Sequence, residues 1–287
     1  MPERIGVALI QMNCRLNDRP ANRARAQELL AEVADRADIA CLPELFNTGY
    51  HLGALDKTIF DHAELIPDGE TTQFLCELAR RFNLAIVAGI VERDPIITGI
   101  IYDTAVIINR RGELCGRYRK SHLYPAETSY FRSGDSLPIF ELDGIKIGIA
   151  ICFEHAFPHI FTTLALSGAQ VVFNPSAVPV GFAYLHDVRT RARAQDNQIF
   201  VVAVNHVGVE GDVNYCGRSQ VADPCGDVIA LAPDNAEAAL TVELPLELIF
   251  HQRRQEPIFR GFRPELYQPQ AHTTLAHQSS SHPQNSD

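Results

Sequence analysis

The stretch IKIGIAICFEHAFPHIF, residues 145–161, decides how the rest of the chain is read. Ile145, Ile147, Ile149, Ala150 and Ile151 form an apolar run, interrupted by Lys146 and Gly148, that stops at Cys152. Glu154, His155 and Pro158 then begin a different pattern, so the spacing predicts a buried strand, a sharp turn and a helix. A residue at such a strand-to-helix elbow is pushed out at the sheet edge beside unpaired backbone N–H groups. A cysteine placed there suits attack on a carbonyl or nitrile carbon. Taken alone, a cysteine closing an apolar strand reads as core packing, so its chemistry depends on what other segments bring to it.

Working outward, the same rhythm recurs on both sides. Residues 4–11 read as a first buried strand. Asn17-Asp18-Arg19-Pro20 then opens a helix to about Arg36, with an N-cap and an early proline. A short strand at 38–42 runs directly into Pro43-Glu44. A polar, loop-rich interval precedes a helix from Thr71 to a left-handed cap at Asn83. Strands follow at 84–91, 101–109 and 114–119, the last two joined by Arg111-Gly112. Asp143-Gly144 joins 138–142 to 145–151 and is the strongest hairpin signal in the chain.

Beyond Cys152 the pattern predicts a helix from about Phe157 to Gly168, a strand at 170–173 and a charged helix over 183–197. Strands at 199–205, 219–222, 227–232 and 238–244 and a short helix at 246–254 complete it. About eleven strands and five helices result. Hairpins mixed with helical crossovers predict mixed sheets, each covered by helices on one face. No interval reads as an interdomain linker. One domain over 1–265 is expected, followed by a polar tail at 266–287 whose last ten residues read as disordered.

Composition narrows the function classes. The chain has 287 residues, 46% of them hydrophobic, and 25 basic against 35 acidic residues give a net charge of -10. That balance argues against nucleic acid or an anionic membrane as the main partner. No apolar run approaches the length of a transmembrane helix, and no signal peptide is read at the start. Seven cysteines without C-x-x-C pairs point to reduced thiols in a cytoplasmic protein. Cys41, Cys76, Cys115 and Cys216 lie among apolar neighbours and read as core filler.

Three segments share one form: an apolar strand, an abrupt end, then a reactive polar residue. They deliver Glu44, Lys120 and Cys152, and Glu127 follows Lys120 in the same loop. If the strand ends line one crevice, these groups converge. A thiolate nucleophile, a carboxylate proton shuttle and a cation for an oxyanion make sense together for acyl transfer. Tyr50 and Asn174, at the ends of strand-like segments, and Phe153, next to Cys152, are candidate substrate contacts.

The segments CLPELFNTGY (41–50), YRKSHL (118–123) and ICFEHAFP (151–158) resemble, in order and spacing, the three signature blocks of the nitrilase superfamily, the carbon–nitrogen hydrolases. RARAQDN (191–197) is similar to a further family element. The resemblance covers nearly the whole chain to about residue 265. It implies a four-layer α-β-β-α sandwich with two mixed β-sheets, and a catalytic Glu-Lys-Cys triad at Glu44, Lys120 and Cys152. The second glutamate of many members maps to Glu127. It also implies homodimers or larger homo-oligomers. Where many amidases have Asp two residues after the cysteine and then Phe-Pro-Glu, this chain has Glu154 and Phe157-Pro158-His159. Cys-Phe-Glu-His is closer to true nitrilases, whereas Lys-Ser-His-Leu is closer to amidases and carbamoylases. The expected activity is hydrolysis of a small amide or N-carbamoyl amide to acid and ammonia, without a cofactor. Nitrile hydrolysis by the same residues is the alternative. A non-catalytic binding protein on this fold is disfavoured by the intact triad.

Other polar residues invite blander readings. His155 and His159 stand at a metal-binding spacing on helices, but Pro158 between them and the lack of a third ligand argue against a metal. His122 reads as a packed loop residue buttressing Lys120. Arg189, Arg191 and Arg193 alternate along one helix and read as ion-pair or interface residues rather than an anion clamp. Ile160, Phe161, Leu164, Val188 and Ala192, together with the apolar segment 255–267, are the candidate interface between copies.

Overall fold

The apolar runs become two six-stranded mixed sheets in a computed structural model that describes residues 2–267. The first sheet contains β1 (Arg4–Gln11), β2 (Ile39–Cys41), β3 (Ala85–Arg93), β4 (Ile101–Ile108), β5 (Leu114–Arg119) and β14 (Ala238–Pro245). Their spatial order is β14-β1-β2-β3-β4-β5. The second contains β6 (Phe140–Leu142), β7 (Ile145–Ile149), β8 (Val171–Ser176), β9 (Phe200–Asn205), β12 (Gln220–Ala222) and β13 (Val228–Leu231), in the order β13-β12-β9-β8-β7-β6. In each, a parallel trio (β1-β2-β3 and β7-β8-β9) is flanked by antiparallel strands.

The layering explains why the strands read as unbroken apolar runs. One face of each sheet meets the other sheet, where Val7, Leu9, Val87, Ile147, Ile149, Phe173 and Val202 share one core. The opposite face of the first sheet carries α1 (Arg19–Val33) and α3 (Glu70–Phe82), packed through Leu29, Leu30, Leu75 and Leu78 against Ile10, Ile86 and Val106. The opposite face of the second carries α4 (Pro158–Leu166) and α5 (Ala183–Asn197), packed through Ile160, Phe161, Leu164 and Ala194 against Val172 and Val201. A strand buried on both faces has no solvent side on which to alternate.

Local signals place most boundaries. Asp18 accepts from Ala21 N–H at the start of α1, and Asn83 closes α3 in the left-handed region. Asp143 and Gly144 both take positive φ between β6 and β7, as a tight hairpin requires.

Some elements differ from the sequence expectation. Fourteen strands are present among the described residues, because β10 (Val207–Glu210) and β11 (Val213–Cys216) form a separate hairpin. The run VGVEGDVNYC carries its signal, apolar residues alternating on either side of a Gly211-Asp212 turn. The interval after Tyr50 holds a four-residue helix, α2 (Leu52–Leu55), and a 3-10 turn over Asp56–His62 rather than an open loop. Leu52, Leu55 and Ile59 there pack on Leu45, Val91 and Phe131. Ile160, Phe161 and Leu164, expected at an interface between copies, are consumed by the chain's own second sheet. What α4 and α5 leave exposed is Leu166, Tyr184 and Val188. A short helix, α6 (Glu247–Gln255), follows β14 as expected. The expected polar tail lies, from residue 268 on, outside the described residues.

The segment carrying Glu44 leaves β2 and crosses β3 at close range. Leu42 N–H donates to Val87 O, Phe46 N–H to Gly89 O, and Gly89 N–H to Pro43 O. A Cβ on Gly89 would lie 2.7 Å from Glu44 Cα and 2.8 Å from Leu45 N. Both are backbone atoms and cannot swing aside, so Gly89 is where the crossing becomes possible. Gly89→Ala is expected to cost about 1–3 kcal/mol, the range for overpacking a filled site. A thermal melt of the variant checks this, and an unchanged Tm would contradict the crossing.

Candidate active site

Glu44, Lys120 and Cys152 come from both sheets, which corrects the picture of neighbouring strand ends lining one crevice. Glu44 follows β2 and Lys120 follows β5, with β3 and β4 between those strands; Cys152 follows β7 of the second sheet. The face-to-face packing of the sheets is what lets the three loops meet.

Lys120 is the centre. Its Nζ lies 2.5 Å from Glu44 Oε1, 2.6 Å from Glu127 Oε1 and 3.4 Å from Asp103 Oδ2, and all four side chains are wholly buried. Burial works against the ammonium, but Glu127, Glu44 and Asp103 together outweigh it and hold its pKa well above the usual lysine value. Three carboxyls around one ammonium cannot all ionise cheaply. Burial, reinforced by repulsion from Glu44, pushes Asp103 well above the carboxylate range. Asp103 is therefore the group that keeps its proton. Glu44 is also raised by burial, against the pull of Lys120. Its Oε2 is buried and has no hydrogen-bond partner among the described residues.

Glu127 is held from three sides. Tyr50 donates its hydroxyl to Oε1, Lys120 binds the same oxygen, and Tyr124 N–H donates to Oε2 at 2.8 Å. Burial and the charge of Glu127 raise the Tyr50 phenol well above its ordinary value, so it stays a neutral donor.

Cys152 sits at the first position of a 3-10 turn, Cys152–Ala156, with φ of 42°. A non-glycine residue in that region is strained and stays there only when its surroundings over-determine it. Two side chains do so. Asn174 Nδ2 donates to Ala150 O at 2.5 Å and lies 3.4 Å from Cys152 O. Glu154 Oε2 accepts from Ile151 N–H at 2.6 Å. Burial, reinforced by Glu44, pushes the Cys152 thiol well above its ordinary value, against Lys120 and a hydrogen bond from the Ala177 backbone. The resting sulfur is a protonated thiol.

Glu154 also ties this elbow to the Lys120 loop. Its Oε1 accepts from the Tyr118 hydroxyl at 2.6 Å, the Ser121 hydroxyl at 2.6 Å, Ser121 N–H at 2.8 Å and His122 N–H at 3.1 Å. A second staple lies behind Glu44. His206 Nε2 faces the Glu44 carbonyl at 2.5 Å and its Nδ1 faces Glu210 Oε1 at 2.7 Å. The Glu44 carbonyl only accepts, so Nε2 carries a proton, and Nδ1 shares one with the Glu210 carboxyl. Glu210 Oε2 in turn accepts from Tyr50 N–H at 2.7 Å.

A cavity of about 170 Å³ opens on Cys152, lined by Tyr50, Tyr124, Phe153, Val178, Phe182 and Leu185 among others. Of the expected substrate contacts, Tyr50 and Phe153 line it. Asn174 does not; it is buried behind the elbow, its amide already used by backbone carbonyls. His122 does not buttress Lys120: its ring bonds Ser121 Oγ and lies 4.3 Å from the Phe157 ring. His155 is buried and His159 exposed, so the pair does not share a site. A roomier polar groove of about 630 Å³ between α1 and β10 contains Asn13, Arg15 and Glu28 but no nucleophile.

Sequence reasoning missed Asp103, the Glu154 hub and the His206–Glu210 pair. Asp103 was findable, as a lone acid inside the apolar strand IYDTAVII. Nothing in the local sequence pairs Glu154 with Ser121 or His206 with Glu44.

Comparison with known proteins agrees with this geometry. The sequence profile of the carbon-nitrogen hydrolase family matches residues 6–254. A protein of Pyrococcus abyssi named nitrilase is 35% identical over 270 residues, covering 92% of this chain and 99% of its own length. The crystal structure of Saccharomyces cerevisiae Nit3, a member of branch 10 of the nitrilase superfamily, superposes with a TM-score of 0.83 at 29% identity, covering 90% of this chain and 96% of that one. A mutant amidase from Nesterenkonia sp. AN1 carries the acetamide moiety of fluoroacetamide on its active-site cysteine. It superposes with a TM-score of 0.75 at 25% identity, covering 90% of this chain and 97% of its own. With the two mixed sheets between helical layers and a profile match over most of its length, the chain belongs to the carbon–nitrogen hydrolase family and is an amidase-type enzyme of the nitrilase superfamily.

Proposed function

We propose that Cys152, Glu44, Lys120 and Glu127 together hydrolyse a small linear amide to the acid and ammonia, or an N-carbamoyl amide to the amine, carbon dioxide and ammonia. The observation that carries this reading is the buried Lys120 ammonium clamped between Glu44 and Glu127 beside a strained cysteine at the cavity wall. Because the resting thiol is protonated, attack needs a base, and the unpartnered Oε2 of Glu44 is free to take the proton. The Cys152 sulfur then bonds the carbonyl carbon. Lys120 and the backbone N–H of Phe153 hold the oxygen as it becomes negative.

Glu44 returns its proton to the nitrogen, the C–N bond breaks and ammonia leaves a thioester. A water enters, gives its proton to Glu44 and adds to the thioester carbon. Collapse releases the acid and restores the thiol. Glu127 keeps Lys120 charged and placed, and Tyr50 holds Glu127. Tyr50 and Phe153 bound the acyl group in the cavity. The name of the Pyrococcus abyssi relative keeps nitrile hydrolysis by the same residues as a second reading.

The setting follows from the same chain. All seven cysteines are free, and Cys115 and Cys225 are exposed, which supports a reducing, cytoplasmic location for one hydrolase domain over 1–265. Among the described residues no helix is long and apolar enough to cross a membrane. Exposed Phe182, Tyr184, Val188 and Phe250 support a homodimer or larger homo-oligomer. Sedimentation showing only a species near 32 kDa would reject that.

An ammonia-release screen across amides, N-carbamoyl amino acids and nitriles tests the reaction. Cys152→Ala should abolish turnover with the fold retained. Hydroxylamine added to the wild type should divert the thioester to a hydroxamate. Lys120→Ala should lose the equivalent of an oxyanion donor, about 2.7–4 kcal/mol or at least a hundredfold in kcat. A loss below tenfold would place Lys120 outside the reaction. Glu154→Gln keeps the shape but turns an amide NH2 toward donors. It should lower the Tm, at a cost of about 1–3 kcal/mol, and reduce kcat through Cys152, which melting and kinetics together would show.

A further inference from the structure

Glu44 Oε2 is not the only buried oxygen of the site left without a partner. Neither Oδ1 nor Oδ2 of Asp103 has one among the described residues, and its side chain is wholly buried. A buried polar group without a hydrogen bond is costly, so its neighbours decide what this carboxyl does. Asp103 lies in β4 opposite Val91 of β3, and Lys120 N–H donates to its carbonyl at 2.9 Å, which sets Asp103 and Lys120 side by side.

Lys120 nevertheless engages the other two acids. Its Nζ is 2.5 and 2.6 Å from Glu44 and Glu127 but 3.4 Å from Asp103, which is long for a charge-assisted hydrogen bond. Glu127 has donors from Tyr50 and Tyr124 as well. Arg117 and Arg119 of β5 bind Glu92, the acid that follows Val91 in β3. The charged groups that act on Asp103 are Glu44 from the turn after β2, Lys120 from the end of β5 and Glu127 from the 3-10 turn Pro125–Ser129. One ammonium among them already faces two carboxylates. One oxygen of each acid lies within 4.8 Å of the others, and Asp103 and Glu44 are close enough to hydrogen-bond. Two ionised carboxylates only accept, so that contact is a bond only with a proton in it. A proton on Asp103 directed at Glu44 Oε2 gives both groups a partner at once. An ionised carboxylate oxygen has two lone pairs, so Oε2 keeps one for a second proton.

We infer that Asp103 is a positioning residue of this site: its protonated carboxyl donates to Glu44 Oε2 and holds Glu44 as the ionised base for Cys152. Burial favours the protonated form of Glu44, and in that form it accepts nothing from the thiol. A hydrogen bond to the ionised form counters this. Asp103 keeps its own proton throughout. Glu44 receives the thiol proton and passes it to the leaving nitrogen, and the Asp103 O–H bond stays intact. Asp103 is not among the residues lining the cavity and acts through Glu44. The consequence for catalysis rests on the hydrolase reading above; the shared proton itself rests on the buried cluster.

Infrared difference spectroscopy between wild type and Asp103→Asn at neutral pH reads the proton without turnover. The wild type should show the C=O stretch of a protonated carboxyl, shifted in heavy water, that Asp103→Asn lacks. A difference spectrum without that band overturns the inference. The second readout is the pH profile of kcat/KM for the amide turned over fastest in the screen above. Asp103→Ala removes the donor, so Glu44 holds its proton to higher pH. The acid limb should move up by about 1–2 pH units, the equivalent of one hydrogen bond to a charged group. Asp103→Asn keeps a donor of the same shape and should move the limb less. Circular dichroism checks that the variants fold, and the infrared comparison decides alone if Asp103→Ala does not. A loss in folded Asp103→Ala that is equal at every pH would reduce Asp103 to packing and overturn the positioning role. If the band depends on Asp103 yet no amide is turned over, the shared proton stands and the hydrolase reading falls instead.

Discussion

A single ammonium buried among three carboxyls is the constraint on which this molecule depends. Removing such a cluster from water is expensive, and mutual attraction offsets the penalty only when the geometry is tight and the remaining polar atoms are satisfied. Here the contacts are 2.5 and 2.6 Å from Lys120 to Glu44 and Glu127, and the third carboxyl, Asp103, relieves the repulsion by holding its proton. The cluster is therefore a poor device for stability and a good one for chemistry. In the proposed reaction it supplies the cation for the oxyanion and the carboxylate for the proton, and among the described residues one oxygen of Glu44 has no partner.

Holding that arrangement takes backbone strain as well as charge. Leu45, immediately after Glu44, and Cys152 both adopt positive φ, which non-glycine residues avoid. Each is braced by a buried ionisable group that touches no substrate in the proposed reaction. His206, hydrogen-bonded between Glu210 and the Glu44 carbonyl, braces the first. Glu154, with acceptor oxygens filled from Ile151, Ser121, His122 and Tyr118, braces the second and joins it to the Lys120 loop. Cys152 and Lys120 are thus positioned by the same carboxylate, although they belong to different sheets. Low dielectric makes such networks strong when complete and costly when broken.

Much of the fold was legible because its signals are local or periodic. The run from Ile145 to Ile151, the Asp143-Gly144 turn, the Asp18 cap and the Asn83 terminator each act within a few residues of themselves. The four-residue α2 was not legible, since it is held by Leu45, Val91 and Phe131 from elsewhere in the chain rather than by a pattern of its own, whereas the short β10–β11 hairpin is local and its alternation is present in the sequence. The apolar face of α4 was visible in the sequence, but whether it covered the chain's own sheet or a partner was not. Only packing showed that Ile160, Phe161 and Leu164 are used internally.

For the site, the sequence by itself marked out Glu44, Lys120 and Cys152 as candidates, because each follows an apolar strand within a recognisable block, and Glu127 through its place in the loop after Lys120. It also determined the mixed-sheet class, through hairpin turns interleaved with helices. Only the tertiary structure decided that β2, β5 and β7 deliver those residues to one point from two sheets. It set Asn174 at the back of the elbow rather than in the cavity wall, and among the described residues it left Arg189 facing the cavity without a carboxylate partner. The physical reason is range: caps, turns and periodicity are written within a few residues. Partners such as Glu154 and Ser121, or His206 and Glu44, lie 33 and 162 positions apart and meet only once the sheets have packed.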